Sequence, residues 1–127
     1  MSTITSIEGR IIYNSRGSKT IEVDIESDGK FLGRVCAPSG ASVGKYEAVS
    51  FPNEKPEESL QILKENSQKF IGIESSDLKG IHDVLKSLDD SSNYSIIGGG
   101  LAFAVTIASM ESASKAAGQP LFQTLSS

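Results

Sequence analysis

The chain has 127 residues, 38% of them hydrophobic, which favours a single domain with one modest core. Its net charge of -4 and its pI near 5.0 argue against nucleic-acid binding, which needs a clustered basic face. No apolar run is long enough for a membrane span, and Met1–Thr5 lacks a secretory signal, so we expect a soluble cytoplasmic protein.

Three runs of β-branched or alternating residues predict strands: 4–13, 20–26 and 31–37. Within the first, Gly9 marks a bulge or a point of close approach. Asn14–Ser18 has the chemistry of a turn, and Asp28–Gly29 predicts a hairpin, so the strands form an antiparallel meander. The single Cys36 lies in the apolar third run, which predicts a buried, inert thiol rather than a nucleophile.

Beyond residue 55 the apolar spacing becomes helical. The predicted stripes are Leu60, Leu63, Ser67 and Phe70 (running to Gly72), then Leu78, Ile81, Leu85 and Leu88, and a third, alanine-rich helix covers 101–117. Pro56 suits the first turn, Asp77 can cap the second helix, and Gly118 ends the third. The only histidine, His82, points away from its stripe, so we expect a solvated residue rather than a ligand or base. Residues 120–125 can add a short final helical turn.

Three strands followed by three to four helices predict a segregated α+β fold that occupies the chain as one domain, residues 1–127. Two motifs have a structural and a chemical explanation. Asp89–Asp90 could serve a metal or acid–base chemistry, but their neighbours favour turn and capping roles. Gly98–Gly100 opens a helix as a phosphate cradle would, yet no Gly-Lys-Ser/Thr follows, so close helix packing is the better explanation.

A small-residue segment follows the third strand. Pro38 ends the strand because it cannot donate to a ladder, and two glycines and two serines fall within residues 39–44. This composition predicts a mobile polar surface loop, and loops on a rigid scaffold often carry function. By composition alone, an ordinary flexible connection is the commoner explanation.

The string Pro-Ser-Gly-Ala-Ser-Val-Gly-Lys-Tyr-Glu-Ala at 38–48 closely resembles the first mobile loop of enolase (phosphopyruvate hydratase). The resemblance implies that the loop closes over an active site and that Ser42 brings oxygen ligands to a second Mg2+. The implied loop residues are Ser39, Gly40, Ala41, Ser42, Val43 and Gly44. Residues 14–23 are similar to the family's Asp-Ser-Arg-Gly-Asn-Pro-Thr-Val-Glu-Val, 89–98 to its Asp-Gly-Thr-x-Asn-Lys-Ser-x-Leu-Gly, and 120–122 to its Pro-Leu-Tyr.

The likeness therefore spans nearly the whole chain, in the family's order, with local departures. Asn14 stands where the family has aspartate, Ser18-Lys19 where it has Asn-Pro, and Val43 where it has threonine. Residues 98–106 stand where it has Gly-Ala-Asn-Ala-Ile-Leu-Gly-Val-Ser. These departures indicate a divergent member, and an archaeal source is one of the origins they would fit.

The resemblance implies the amino-terminal capping domain of an enzyme that dehydrates 2-phosphoglycerate to phosphoenolpyruvate, a lyase of glycolysis and gluconeogenesis. In that family the base lysine, the acid glutamate and the metal carboxylates lie in a (β/α)8-type barrel, and none of them is in this sequence. The implied partners are therefore a barrel in cis and a second subunit, with Arg16 at the dimer contact. The 127-residue chain alone would be inactive, and would not hold Mg2+ by itself.

Two other functions stay open at this point. A stand-alone domain of this kind could bind a protein partner without catalysis. It could also cap another member of the enolase superfamily that acts on a different carboxylate. The downstream coding sequence separates the first alternative from the enzyme, and the Pro-Ser-Gly-Ala-Ser string argues against the second.

Overall fold

The computed structural model describes the chain in five stretches: residues 2–13, 17, 19–37, 55–89 and 97–118. Its sheet has three antiparallel strands in the order β1-β2-β3, with β1 at Ile4–Tyr13, β2 at Lys19–Ser27 and β3 at Phe31–Cys36. The predicted meander is confirmed.

Two sequence signals in the sheet have the roles expected of them. Asp28 and Gly29 take positive φ values of 54° and 71° in the β2–β3 turn, a conformation that Asp-Gly adopts readily. Gly9 is a point of close approach, because a Cβ there would lie 2.6 Å from Leu60 Cδ2. The register irregularity in β1 lies between Ile4 and Ser6, so Gly9 is not the bulge.

Among the described residues, three α-helices follow the sheet: α1 at Pro56–Asn66, α2 at Leu78–Leu88 and α3 at Gly99–Ala117. The final helical turn predicted at 120–125 lies outside the described residues. Asp77 caps α2 as predicted, since its Oδ1 accepts a hydrogen bond from the Gly80 N–H at 3.0 Å. Gly118 ends α3 with a left-handed φ of 70°, also as predicted. The fold is α+β, with its helices gathered on one side of the sheet.

The first helix ends earlier than its apolar stripe suggests. Asn66 Nδ2 donates to the Ile62 carbonyl at 2.8 Å, and a 3₁₀ turn at Ser67–Lys69 follows. Phe70 still reaches the core from beyond the helix end. Phe70 therefore extends the apolar stripe of α1, although the α-helix itself ends at Asn66.

The core lies between the inner face of the sheet and α3. Its fully buried side chains include Ile21, Val23 and Ile25 from β2, Leu101 and Val105 from α3, and Phe70, Ile81, Leu85 and Ile97 between them. Burial of each large apolar side chain contributes roughly 1.5–3 kcal/mol. Leu78 is an exception in its predicted stripe, because it is 40% exposed. Since the helices cover only one face, the outer face of β2 is free for polar side chains.

Candidate functional site

The connection that includes Arg16 and the connection that includes Ser39–Gly44 leave the sheet at the same end. Tyr13 at the end of β1 pairs with Lys19 at the start of β2, and Cys36 at the end of β3 pairs with Glu22. The turn that contains Arg16 and the segment that contains Ser39–Gly44 are therefore anchored next to each other. Arg16 and all six loop residues lie outside the described residues, so the anchors are what the structure describes.

The first anchor is Ala37, where the chain leaves β3. The Ala37 N–H donates to the Ile21 carbonyl at 2.8 Å. Its carbonyl in turn accepts from Thr20 Oγ1 at 3.0 Å. Both residues are buried, with exposed fractions of 4% for Ala37 and 3% for Thr20. The backbone is thus fixed up to the residue that precedes Pro38.

The second anchor is the start of α1, where the chain returns. Glu58 donates its N–H to the Lys55 carbonyl at 3.0 Å, and Pro56 occupies the first turn. Lys19 Nζ lies 2.6 Å from Glu57 Oε2, which ties α1 to the start of β2. This hydrogen bond raises the pKa of Lys19 and lowers that of Glu57. Because both side chains are exposed, this ion pair adds little to the free energy of unfolding, and its main effect is to orient α1.

A network of four charged side chains crosses the outer face of the sheet. Arg10 lies 2.6 Å from Glu22 Oε1 and 2.7 Å from Asp24 Oδ2, while Arg34 Nε lies 2.8 Å from Asp24 Oδ1. The hydrogen bonds from Arg34 and Arg10 hold the pKa of Asp24 well below its usual range. The two carboxylates are therefore neutralised by guanidinium groups, which does not suit a metal site or a general acid.

The sequence indicated only half of this network. The alternation of β2 places Glu22 and Asp24 on a wet face, which was visible from the residues. Their cations come from the neighbouring strands, Arg10 from β1 and Arg34 from β3. The register of the three strands decides which charged side chains pair. Residue spacing within one strand does not reveal that register.

The prediction that Cys36 is buried is wrong. The residue lies on the outer face of β3, where its thiol donates to Glu22 Oε2 at 3.6 Å. The apolar run around it suggested burial on both faces, whereas helices cover only the inner one. Partial desolvation and the nearby carboxylate raise the pKa of the thiol, so it stays protonated at neutral pH and is a poor nucleophile.

The other titratable candidates have structural positions. His82 is exposed on α2, as predicted. Asp89 is 1% exposed, and its Oδ2 accepts a hydrogen bond from the Ile97 N–H at 2.9 Å, so it has a structural role that joins the end of α2 to the residue before Gly98 rather than a local turn. Asp90 lies outside the described residues. Gly98, with a φ of 88°, precedes α3, and Gly100 is buried there, which agrees with the packing explanation of the glycine run.

Among residues 2–13, 17, 19–37, 55–89 and 97–118, no group of three or more His, Cys, Asp and Glu side chains is placed to hold a metal ion. In the same part of the chain, no helix has the length and apolar character needed to cross a membrane.

Comparison with known proteins gives one consistent result. The family model described as "Enolase, N-terminal domain" matches residues 4–125. The chain is 38% identical over 125 residues to an enolase of Methanosphaera stadtmanae, covering 98% of this chain and 30% of that protein. It is 34% identical over 126 residues to an enolase of Halorubrum lacusprofundi, covering 98% of this chain and 31% of the relative. An enolase of Methanothermobacter thermautotrophicus is 37% identical over 125 residues, with 98% and 30% coverage.

Proposed function

This chain belongs to the family of enolase amino-terminal domains, and on that premise we propose that it is the lid domain of a phosphopyruvate hydratase. The chain spans about 30% of the length of the relatives it matches. The activity of the whole enzyme, dehydration of 2-phosphoglycerate to phosphoenolpyruvate, would therefore need a barrel in cis. The family match over residues 4–125 carries the proposal.

The geometry of the anchors supports a lid at residues 38–54. Ala37 is held at both its N–H and its carbonyl, and α1 returns the chain beside the start of β2. A segment whose two ends are fixed at one end of a rigid sheet can change conformation without moving the core. Closure of such a segment over a substrate excludes water and completes a catalytic arrangement. Ser39–Gly44 is the part of the segment proposed to close.

We assign to Ser42 the role of a ligand to a second Mg2+ in the complete enzyme. A serine hydroxyl and a backbone carbonyl are hard oxygen donors of the kind that Mg2+ prefers. When bound, the metal would supply charge stabilisation for a substrate carboxylate that loses a neighbouring proton. The described residues of this chain do not fit Mg2+, because Glu22 and Asp24 are already paired with arginines. The remaining ligands are therefore assigned to the barrel.

The partners follow from the same assignment. We propose a homodimer of the full-length protein, with Arg16 at the contact with the barrel of the partner subunit, and a cytoplasmic location. The net charge of -4 gives no reason to add a nucleic-acid partner.

The decisive experiment compares the 127-residue chain with the protein encoded when the reading frame is followed beyond Ser127. Both are purified, and phosphoenolpyruvate formation from 2-phosphoglycerate is measured with and without Mg2+. We expect turnover by the longer protein with Mg2+ and none by the 127-residue chain. Turnover by the chain alone would overturn the lid assignment. A longer protein without a barrel, or a reading frame that stops at Ser127, would favour a stand-alone interaction module.

A further inference from the structure

The turn between β2 and β3 contains Asp28, the one aspartate in the sequence that a glycine follows. Asp28, Gly29 and Lys30 are all exposed. The Lys30 N–H donates to the Ser27 carbonyl at 3.0 Å and so closes the turn. Because glycine has no Cβ to shield its amide nitrogen, the Gly29 nitrogen is open to reaction with the side chain of the residue before it.

The reaction available to an aspartate and a following glycine is ring closure within the chain. The Gly29 nitrogen bonds to Asp28 Cγ, and the OH of the protonated carboxyl group leaves with the amide proton as one water. A second water then opens the succinimide ring at either carbonyl, which returns aspartate or gives isoaspartate. In isoaspartate the Cβ atom has entered the main chain, so the turn is longer by one carbon.

The conformation of Asp28 in the turn opposes this ring closure. Closure requires rotation about the Cα–C bond of Asp28, because this rotation brings the next nitrogen toward Cγ. Asp28 and Gly29 are held at positive φ values of 54° and 71°, and the Asp28 N–H donates to the Thr3 carbonyl at 2.9 Å. The carboxylate is held as well, since Asp28 Oδ1 accepts from the Thr3 N–H at 3.0 Å.

The attacking nitrogen is held by another residue of β1, Thr5. Thr5 Oγ1 accepts from the Gly29 N–H at 2.9 Å and donates to the Glu26 carbonyl at 3.1 Å. A hydroxyl has one hydrogen to donate, so its bond to Glu26 leaves a lone pair for the Gly29 N–H. This N–H must leave the Thr5 oxygen before the ring can close.

A β-bulge places the Thr5 side chain beside the turn. The pairing of β1 with β2 omits Thr5, because the register shifts between Ile4 and Ser6. A bulge bends its strand and redirects a side chain. Ile4 and Ile7 are both buried, although residues three apart in a regular strand face opposite sides. The bulge therefore keeps both isoleucines in the core and leaves Thr5 exposed next to the turn.

We propose that Asp28 is a site of spontaneous isomerisation to isoaspartate, and that the bulge residue Thr5 slows this reaction in the folded chain. Opening of the hydrogen bond between the Gly29 N–H and Thr5 then limits the rate, a local event that leaves the core intact. Asp24 is an internal comparison, because the β-branched side chain of Ile25 hinders the nitrogen that follows it. The proposal concerns this chain alone and does not depend on the dehydratase function.

The test measures isoaspartate at Asp28 in the purified 127-residue chain during long incubation at neutral pH. Trypsin cleaves after Lys19 and Lys30 and releases residues 20–30, and the aspartate and isoaspartate forms of this peptide separate by chromatography. The same chain unfolded in guanidinium chloride is the unprotected reference. We expect the folded chain to react at least about tenfold more slowly than the unfolded chain. Equal rates would overturn the proposal.

Three substitutions in and before β1 test the role of the Thr5 hydroxyl. Thr5→Val removes the acceptor of the Gly29 N–H but keeps a β-branched side chain, and should speed the reaction in the folded chain at least about threefold. Thr5→Ser keeps the hydroxyl and should react at the parent's rate. Thr3→Val is the matched control, because Thr3 holds Asp28 through backbone groups. If Thr5→Val reacts no faster than Thr3→Val, Thr5 does not protect the turn.

Amide hydrogen exchange gives a measurement on the parent chain that needs no variant. The Gly29 amide lies in an exposed turn, yet it should exchange at least about tenfold more slowly than in the unfolded chain, because Thr5 holds it. In Thr5→Val this protection should be lost while the Ile25 amide of β2 keeps its own, which shows that the sheet is intact. An unprotected Gly29 amide in the parent would overturn the proposal, as would the absence of isoaspartate at Asp28 in the unfolded chain. Either result leaves the enzymatic assay of the longer protein unaffected.

Discussion

A Cβ atom placed on Gly33 of β3 would overlap the backbone carbonyl oxygen of Ala108 on α3. The same atom would lie 2.8 Å from the Ser112 N. Strand and helix therefore meet backbone to backbone at this point. The alanines and serines on the buried face of α3 allow this approach because their side chains are small.

Gly33→Ala should lower the free energy of unfolding by about 3 kcal/mol or more, because backbone atoms must move to admit the methyl group. Gly9→Ala is the matched comparison. Its methyl would meet the end of the Leu60 side chain, which can change rotamer, so a loss of about 1 kcal/mol is expected. Urea denaturation of the two variants measures both values. Equal losses would show that the contact at Gly33 is not a rigid one.

Asp24→Asn should remove part of the acid sensitivity of the fold. Hydrogen bonds from Arg34 and Arg10 depress the pKa of Asp24 in the folded chain. The stabilisation is thus complete above about pH 5 and falls as the pH drops below about 4, toward the folded-state value. At neutral pH we expect a loss of about 1–2 kcal/mol in the variant.

Thermal melts of Asp24→Asn and the parent chain between pH 7 and pH 2 test this dependence. The difference between the two proteins should be greatest at neutral pH and should shrink as the pH falls. Asp83→Asn removes the same charge from an exposed ion pair on α2 and should have little effect on the melting temperature at pH 7. A constant difference across the pH range would contradict the role given to Asp24.

Thr20→Val tests the anchor at the start of the 38–54 segment. The change leaves the buried Ala37 carbonyl without its hydroxyl donor, at a cost of about 1–2 kcal/mol. Thr106→Val is the control, since that hydroxyl bonds to Ala102 in its own helix and its loss should cost less than about 0.5 kcal/mol. Denaturation midpoints measure both variants. If Thr20→Val is as stable as the parent, the carbonyl of Ala37 has another partner.

Ser42→Ala in the longer, barrel-containing protein tests the proposed ligand. Loss of one oxygen ligand should raise the Mg2+ concentration for half-maximal activity and lower kcat at least about tenfold. Ser87→Ala, a serine on the exposed side of α2, is the control and should leave both quantities unchanged. A Ser42→Ala enzyme with the parent's metal dependence and rate would remove Ser42 from the mechanism.

Much of the fold could be predicted because its signals are local. The alternation in β2, the Asp28–Gly29 turn, the Asp77 cap and the Gly118 terminus each depend on residues within a few positions of one another. The resemblance to enolase likewise came from continuous strings, and the family match agrees with it. The prediction for Ser42 stays a prediction, since the residue lies outside the described part of the chain.

Other features could not be predicted because they join distant residues. Cys36 was placed in the core from its apolar neighbours, whereas only the arrangement of the helices decides which face of β3 is covered. In the sequence, Thr20 has no feature that separates it from other strand residues. The hydrogen bond from its hydroxyl to the Ala37 carbonyl depends on how β2 and β3 align.

By itself, the sequence determined the order of the strands and helices, their turns and caps, and the family to which they belong. Those properties follow from backbone preferences and side-chain periodicity, which act between near neighbours in the chain. Only the tertiary structure decided that Asp24 lies between two arginines, that Gly33 meets α3, and that Glu111 and Lys115 of α3 bond to the outward backbone of β3. Strand register and helix packing set these contacts, because they bring together residues that the sequence separates widely.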